Sequence, residues 1–207
     1  GRLAAANLAV RRSQASVNRR TWRIAGWAWS LLVLGGATQA ATAWTADPAQ
    51  SRLEFVATQA GGTFDGRFAR FQAETEFDPA ELPAGRLRVE VDIASAETGN
   101  DERDGVLVGP DFFAVERWPT ATFTADRFAA RGPGRFEAAG TLTLRGVAKD
   151  LTLDFTFVPA GGGVTAEMAG TTTLRRLDFG VGQGEWRDTD WVGDEVRIRF
   201  KLILHRR

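Results

Sequence analysis

The side chains best suited to acid–base chemistry form one dense polar cluster, Asn100-Asp-Glu-Arg-Asp104. Carboxylates catalyse proton transfer when a pair lies in a cleft with separated pKa values. The same residues also suit a helix start: Asn100 can cap it, Asp101 and Glu102 favour its first turn, and Arg103 can pair with a neighbouring acid. We favour this structural interpretation and keep a hydrolase as the alternative.

A second acidic site lies nearer the C-terminus, where Asp188 and Asp190 flank Thr189 beside Trp186 and Trp191. Such a group could bind a cation or a sugar, or supply a hydrolase with carboxylates. A solvated loop held in place by the two tryptophans is the interpretation that we favour.

The rest of the composition removes the commonest catalytic centres. The chain has no cysteine and one histidine, His205, so it offers no thiolate and too few imidazoles for a Ser–His–Asp enzyme or a His-rich zinc site. The sequence therefore predicts a protein that is not an enzyme and has no metal site.

Charge is unevenly distributed along the chain. Residues 1–43 contain six arginines and no acid, which leaves 20 basic groups (26 less 6) and 26 acidic ones in the remainder. An acidic body argues against nucleic acid as a partner, because a nucleic-acid site needs a basic surface.

The N-terminal 43 residues have the three parts of a secretory signal. Arg19, Arg20 and Arg23 precede an apolar run over residues 24–36, and small residues follow to an Ala41-x-Ala43 site. We predict cleavage before Trp44, or a start at Ala41, and a periplasmic protein. The alternatives are an uncleaved inner-membrane anchor, because residues 24–46 carry no charge, and twin-arginine export.

From residue 50 onward, apolar residues recur with a period of two, the pattern of strands with one buried face. The clearest strands are Arg86–Ala94 and Glu195–Leu204. Strands about ten residues apart, joined mostly by short turns, predict an all-β closed antiparallel barrel over residues 44–207. A bend is expected near Ala69, and one short helix at about 101–108, which Gly109-Pro110 ends.

The predicted inward faces alternate large residues with very small ones. An eight-stranded barrel is the size at which the lumen is either just filled or holds one small ligand. A hollow lumen and one filled by phenylalanines both stay open. The small inward residues are Ala57, Ala73, Ala121, Ala125, Ala138, Gly140, Ala166 and Gly170.

Eight short motifs, in order from about residue 44 to 204, resemble the YceI-like family of periplasmic lipocalin-like proteins, described as polyisoprenoid binders. The motifs are Gly66-Arg-Phe68, Phe77-Asp-Pro79, Ala94-Ser-Ala-Glu-Thr98, Arg103-Asp104, Asp111-Phe-Phe113, Trp118-Pro-Thr-Ala-Thr-Phe123, Gly140-Thr-Leu-Thr-Leu-Arg-Gly146 and Asp178-Phe-Gly180. The resemblance implies an extended eight-stranded antiparallel barrel, often a homodimer, without catalysis and without a covalent cofactor. It implies an isoprenoid quinone or a polyprenyl lipid as the bound molecule.

Two departures from the family pattern are missing histidines, so a role of those imidazoles in metal binding or head-group contact does not carry over to this chain. The family usually has a histidine where Gln50 stands in this chain. It often has another where Gln59 or Ala60 stands. Residues 180–191 resemble a branch found near cytochrome b561-type membrane proteins, which suggests such a partner by association. A non-catalytic partner of a b-type cytochrome is therefore the alternative to a lipid carrier.

A lipophilic small molecule would contact the large apolar residues of the inward faces, since burial of each methylene contributes about 0.8 kcal/mol. The predicted ligand-binding residues are Leu53, Phe55, Phe64, Phe77, Val89, Val91, Phe123, Phe136, Leu142, Leu153, Phe155, Met168, Ile198 and Phe200.

Overall fold

The computed structural model describes residues 41–207, so all but the last three residues of the predicted signal lie outside the described part. Strands dominate, with one α-helix and several short 3-10 turns. The strands are β1 Ala43–Ala46, β2 Arg52–Gln59, β3 Gly62–Phe68, β4 Phe71–Glu76, β5 Arg86–Asp92, β6 Ala96–Glu97, β7 Thr120–Gly132, β8 Arg135–Leu144, β9 Val147–Ala160, β10 Thr165–Arg175 and β11 Glu195–Arg206; the helix is α1, Asp101–Val108.

These segments form eight long strands in a closed antiparallel barrel, as the sequence predicted. Three of the long strands are each made of two short strands that lie end to end against the same neighbour, with a short break between them. These are β1 with β2, β3 with β4, and β5 with β6. Each long strand pairs with the next in chain order, and β11 closes the ring by pairing with both β1 and β2.

Serine hydroxyls replace the missing ladder bonds at two of the breaks. Ser51 is buried, and its hydroxyl accepts a hydrogen bond from the backbone N–H of Ile203 at 3.0 Å, between β1 and β2. Ser95 does the same for the N–H of Arg70 at 3.0 Å, next to Ala69, where the sequence predicted a bend. Buried backbone groups need such partners, so the interrupted strands remain one sheet.

Burial alternates along the strands with the same period of two as the apolar residues of the sequence. Phe71, Ala73 and Thr75 of β4 are buried, whereas the residues between them are exposed. In β8, Phe136 and Ala138 point inward in the same way. Alternate side chains therefore line the lumen and the solvent side.

One end of the barrel is filled by aromatic rings. Phe77 is fully buried, and its ring centroid lies 4.9 Å from that of Phe157, 5.1 Å from that of Phe136 and 5.4 Å from that of Phe155. Trp44 packs on Phe157, and its indole N–H donates to the carbonyl oxygen of Phe77 at 2.9 Å. We call this region, together with the fully buried Met168 and Leu204, the packed end.

The opposite end is covered by α1 and by two irregular segments, residues 109–118 and 176–194; together we call them the cap. The predicted helix is present over Asp101–Val108, and the side chain of Asn100 caps it by accepting from the N–H of Arg103 at 2.9 Å. No helix within residues 41–207 has the length and apolarity that crossing a bilayer requires.

The packed end should supply much of the free energy of unfolding. Phe77→Ala should lower it by about 3–5 kcal/mol, because the substitution leaves a cavity among four other rings. Urea unfolding measures this change. The exposed Val158 provides a control, since Val158→Ala should stay within about 0.5 kcal/mol of the parent protein. Equal unfolding curves for the two variants would contradict the assignment.

Candidate functional site

An apolar cavity of about 190 Å³ lies in the lumen between the packed end and the cap. Inward residues of β2, β3, β4, β5, β7, β8, β9, β10 and β11 form its side wall, and residues of the cap close it. Apart from Thr172 and Arg176, the side chains around it are hydrocarbon. The arrangement suits an apolar guest, because no unpaired polar group has to be desolvated when one binds.

The structure places ten of the fourteen predicted ligand-binding residues on the wall of this cavity. They reach it from seven different strands, so only the closed barrel brings them together. The ten are Leu53, Phe55, Phe64, Val89, Val91, Phe123, Leu142, Leu153, Ile198 and Phe200. Their contact with a ligand stays a prediction.

The other four, Phe77, Phe136, Phe155 and Met168, lie in the packed end and do not line the cavity. Their inward direction was predicted from the alternation, but the alternation runs without change along the whole strand. It does not indicate where along the barrel axis the rings meet and where they leave space. We therefore remove these four residues from the cavity wall.

Some of the small inward residues make room for aromatic rings, as a filled lumen requires, and others leave space, as a hollow lumen requires. A Cβ on Gly66 would collide with the ring of Phe55, and one on Gly170 would collide with the backbone of Asp154 and the ring of Phe200. These glycines leave room for rings, which fill the gap. Ala57 and Ala121, in contrast, line the cavity, and their short side chains leave space unoccupied.

The cap contributes wall residues that sequence reasoning missed. Five of them, Leu107, Phe112, Phe113, Val181 and Val192, come from α1 and the two irregular segments. They have no period of two to mark them as inward. Asp111-Phe-Phe113 stood out only as a family motif, and the sequence carries no comparable signal for Val181 and Val192.

Contacts between the two irregular segments hold the cap together. The carbonyl oxygen of Asp111 accepts hydrogen bonds from the N–H groups of Gly182 and Gln183, both at 2.8 Å. The ring of Phe112 packs edge-on against Trp186 with centroids 5.3 Å apart. The expectation that two tryptophans hold this loop is half correct, because Trp191 is 51% exposed.

Arg176 is the buried charge at the centre of the cap. Its side chain is 3% exposed, and its guanidinium donates to the carbonyl oxygens of Gly193 at 3.0 Å, Val181 at 2.9 Å and Val192 at 2.6 Å. Burial lowers the pKa of Arg176, since the charged form loses hydration. Gly182 is packed against this guanidinium, where a Cβ would collide with it.

Asp194 anchors the end of the same segment. Burial acts to raise the pKa of its carboxyl, but hydrogen bonds from the N–H of Leu177 and from Arg175, with the positive charges of Arg175 and Arg176, outweigh that effect and lower the pKa. The carboxylate thus remains charged and fixes the start of the cap segment to its end.

Two of the carboxylates considered for catalysis, those of Asp104 and Asp188, accept local hydrogen bonds. Asp104 accepts hydrogen bonds from the N–H and the hydroxyl of Thr98, at 2.9 Å and 2.6 Å, and Asp188 accepts from the N–H of Asp190 at 2.9 Å. Arg103 was expected to pair with a neighbouring acid; its guanidinium instead donates to Gln59 and lies over the ring of Phe64.

Metal-ligating side chains do not converge in the described part of the chain. Residues 41–207 contain no group of three His, Cys, Asp or Glu side chains that could hold an ion. His205 lies on the outer face, with its Nε2 3.8 Å from Asp47.

The pKa of the Asp47 carboxyl is lowered, mainly by a hydrogen bond from the side chain of Gln50 and next by one from the N–H of Ala49.

Comparison with known proteins matches the YceI-like domain to residues 44–204. A UPF0312 protein of Vibrio cholerae is 35% identical over 138 residues, which cover 64% of this chain and 73% of that protein. Burkholderia cenocepacia BcnA is 34% identical and superposes with a TM-score of 0.73, covering 76% of this chain and 98% of BcnA. A polyisoprenoid binding domain from Saccharophagus degradans, implicated in plant cell wall breakdown, shares the fold at 16% identity and a TM-score of 0.65, covering 80% and 99%.

Removal of the Arg176 guanidinium should destabilise the cap. Arg176→Met leaves three buried carbonyl groups without a donor, which should lower the free energy of unfolding by about 3 kcal/mol or more. Arg187→Met, at an exposed position of the same segment, is the control and should have little effect. Urea unfolding and the rate of proteolysis within residues 180–193 measure the difference. Coincident results for the two variants would contradict this role of Arg176.

Proposed function

Because the chain belongs to the YceI-like family, we propose that it is a binding protein that holds a lipophilic, chain-shaped molecule in the cavity beneath the cap. The observation that carries the proposal is the wall of the cavity, which is almost entirely hydrocarbon although it is built from nine strands and the cap. Such a wall recognises apolar surface and shape, and it offers no group for chemistry on the guest.

The chemistry of the wall favours an unbranched or methyl-branched hydrocarbon chain. Each buried methylene contributes about 0.8 kcal/mol, so a few isoprene units are enough for micromolar affinity after the costs of association. The Arg176 guanidinium already donates to three carbonyl groups, so apolar contacts would dominate the binding of a guest. The printed description of the Saccharophagus degradans domain supports an isoprenoid as the class of guest.

The size of the cavity indicates how the chain would be accommodated. A volume of about 190 Å³ is close to the roughly 150 Å³ of an engineered cavity that binds benzene, so the closed barrel holds on the order of one or two isoprene units. A longer chain, such as that of an isoprenoid quinone or a polyprenyl lipid, would extend past the cap. We therefore expect the cap to move during loading.

We extend the proposal to export into the periplasm, where a carrier of this kind would hold a lipid away from water. The support is the order of arginines, apolar run and Ala41-x-Ala43 site in the N-terminal 43 residues. The homodimer and the cytochrome b561-type partner that the resemblance implies stay predictions, and the proposal depends on neither.

A larger side chain in the cavity should displace the guest without disturbing the rest of the barrel. Ala121 is buried on the cavity wall, so Ala121→Phe should reduce the lipid recovered by organic extraction and mass spectrometry at least tenfold. Its affinity for a fluorescent farnesyl probe should fall to a similar extent.

The matched control is Ala148→Phe, which adds the same ring on the exposed face of β9 and should leave both measurements unchanged. Thermal unfolding of both variants verifies that the fold is retained. The proposal fails if the native protein repeatedly yields no lipophilic molecule and does not bind the probe.

Expression of the full chain in a bacterial host tests the export signal. We expect the protein in the periplasmic fraction with an intact mass that corresponds to a start at Trp44 or Ala41, because signal peptidase recognises small residues at these positions. Replacement of Arg19, Arg20 and Arg23 by glutamate should retain the precursor in the cytoplasm. A full-length, membrane-bound product would instead indicate an uncleaved anchor.

A further inference from the structure

The cavity ends where the packed end begins, and two strands mark this boundary. On β9, Leu153 lines the cavity, whereas the next inward residue, Phe155, belongs to the packed end. On β11, Leu202 lines the cavity, whereas the next inward residue, Leu204, is fully buried in the packed end. We call this boundary, opposite the cap, the floor of the cavity.

Phe155 is the packed-end residue directly behind the floor. Its register partner on β10 is Gly170, whose partner on β11 is Phe200 of the cavity wall. A Cβ on Gly170 would lie 2.9 Å from the Cβ of Phe155 and 2.8 Å from the ring of Phe200, so these two side chains meet over the glycine. Phe155 therefore supports the floor, and Leu153 and Phe200 form part of the surface that a guest would touch.

Other rings hold Phe155 in place. Its ring centroid lies 5.4 Å from that of Phe77, 5.7 Å from that of Phe136 and 6.2 Å from that of Phe128. Only 4% of Phe155 is exposed. In so dense an interior, one ring moves only if its neighbours move with it. The floor is therefore the fixed end of the cavity, whereas the cap is the end that moves during loading in the proposed function.

Resting on the proposed function, we infer that Phe155 determines specificity for chain length, because it fixes how many isoprene-sized units of a guest the lumen buries. The volume of about 190 Å³ corresponds to on the order of one or two such units. The guest is thus a lipophilic chain that is bound by its short terminal part, with the remainder beyond the cap.

This arrangement predicts how affinity depends on chain length. Each buried unit adds apolar contact, whereas a unit beyond the cap stays in water and adds little. Affinity should therefore rise with the length of the chain and level off at the length that the floor sets.

Probes that share one fluorescent head group and carry a dimethylallyl, geranyl, farnesyl or geranylgeranyl chain test the inference. Their dissociation constants are measured by fluorescence titration against the parent protein and its variants. The parent should bind the geranyl probe about tenfold more tightly than the dimethylallyl probe, and the two longer probes within about threefold of the geranyl probe.

Two variants should move the levelling-off in opposite directions. In Phe155→Ala, the deleted phenyl ring is comparable in size with one isoprene unit, and the surrounding residues close such a gap only in part. The farnesyl probe should then bind about tenfold more tightly than the geranyl probe. In Leu153→Trp, a larger ring projects from the floor, so the advantage of geranyl over dimethylallyl should shrink to within about threefold.

Phe157→Ala is the matched control, because it removes the same ring from the same strand one inward position deeper, in contact with Trp44 and Phe77. It should lower the thermal unfolding temperature as Phe155→Ala does, yet keep the length profile of the parent. Thermal unfolding without ligand verifies the fold of every variant.

The inference is overturned if the affinity of the parent keeps rising steeply through geranylgeranyl, if folded Phe155→Ala keeps the profile of the parent, or if Phe157→Ala lengthens the accepted chain equally. Should Phe155→Ala not fold, Leu153→Trp decides, and an undiminished geranyl advantage in that variant overturns the inference. Each of these results leaves the proposed function intact, whereas failure of the parent to bind any probe overturns the proposed function as well.

Discussion

Closure of the sheet by β11 is the constraint on which the rest of the structure depends. This strand pairs with β10 on one side and with both β1 and β2 on the other, so the lumen has a fixed width along its length. A lumen of fixed width must be filled by side chains or left as space. Breaks in the strands would weaken the closure, and the hydroxyls of Ser51 and Ser95 compensate for two of them.

The barrel divides this lumen into two regions with different physical roles. Around Phe77, aromatic rings contact each other at centroid distances near 5 Å, which supports stability. Beneath the cap, alanines at positions 57 and 121 leave the cavity open. A binding protein needs both, because an empty apolar space costs stability that a dense core elsewhere must offset.

The proposed loading of a long chain requires the cap to move, whereas the base of one cap segment is firmly held. Passage of a chain longer than the cavity requires α1 and the irregular segments to separate, yet Arg176 binds three carbonyl groups and Asp194 binds Leu177 and Arg175 at the base of residues 176–194. These contacts fix where the segment begins and ends. The contacts nearer the mouth, such as the one between Phe112 and Trp186, are apolar and can rearrange at lower cost.

The sequence by itself determined the strands, the capped helix over Asp101–Val108 and the inward direction of all fourteen predicted residues, because alternation and capping are local properties of the chain. It could not assign Phe136 and Phe155 to the packed end and Phe123 to the cavity, since all three alternate alike. Position along the barrel axis depends on which residues of distant strands become neighbours. The tertiary structure alone decided that, and it also brought Arg176, Val181 and Val192 over the cavity from a segment without periodicity.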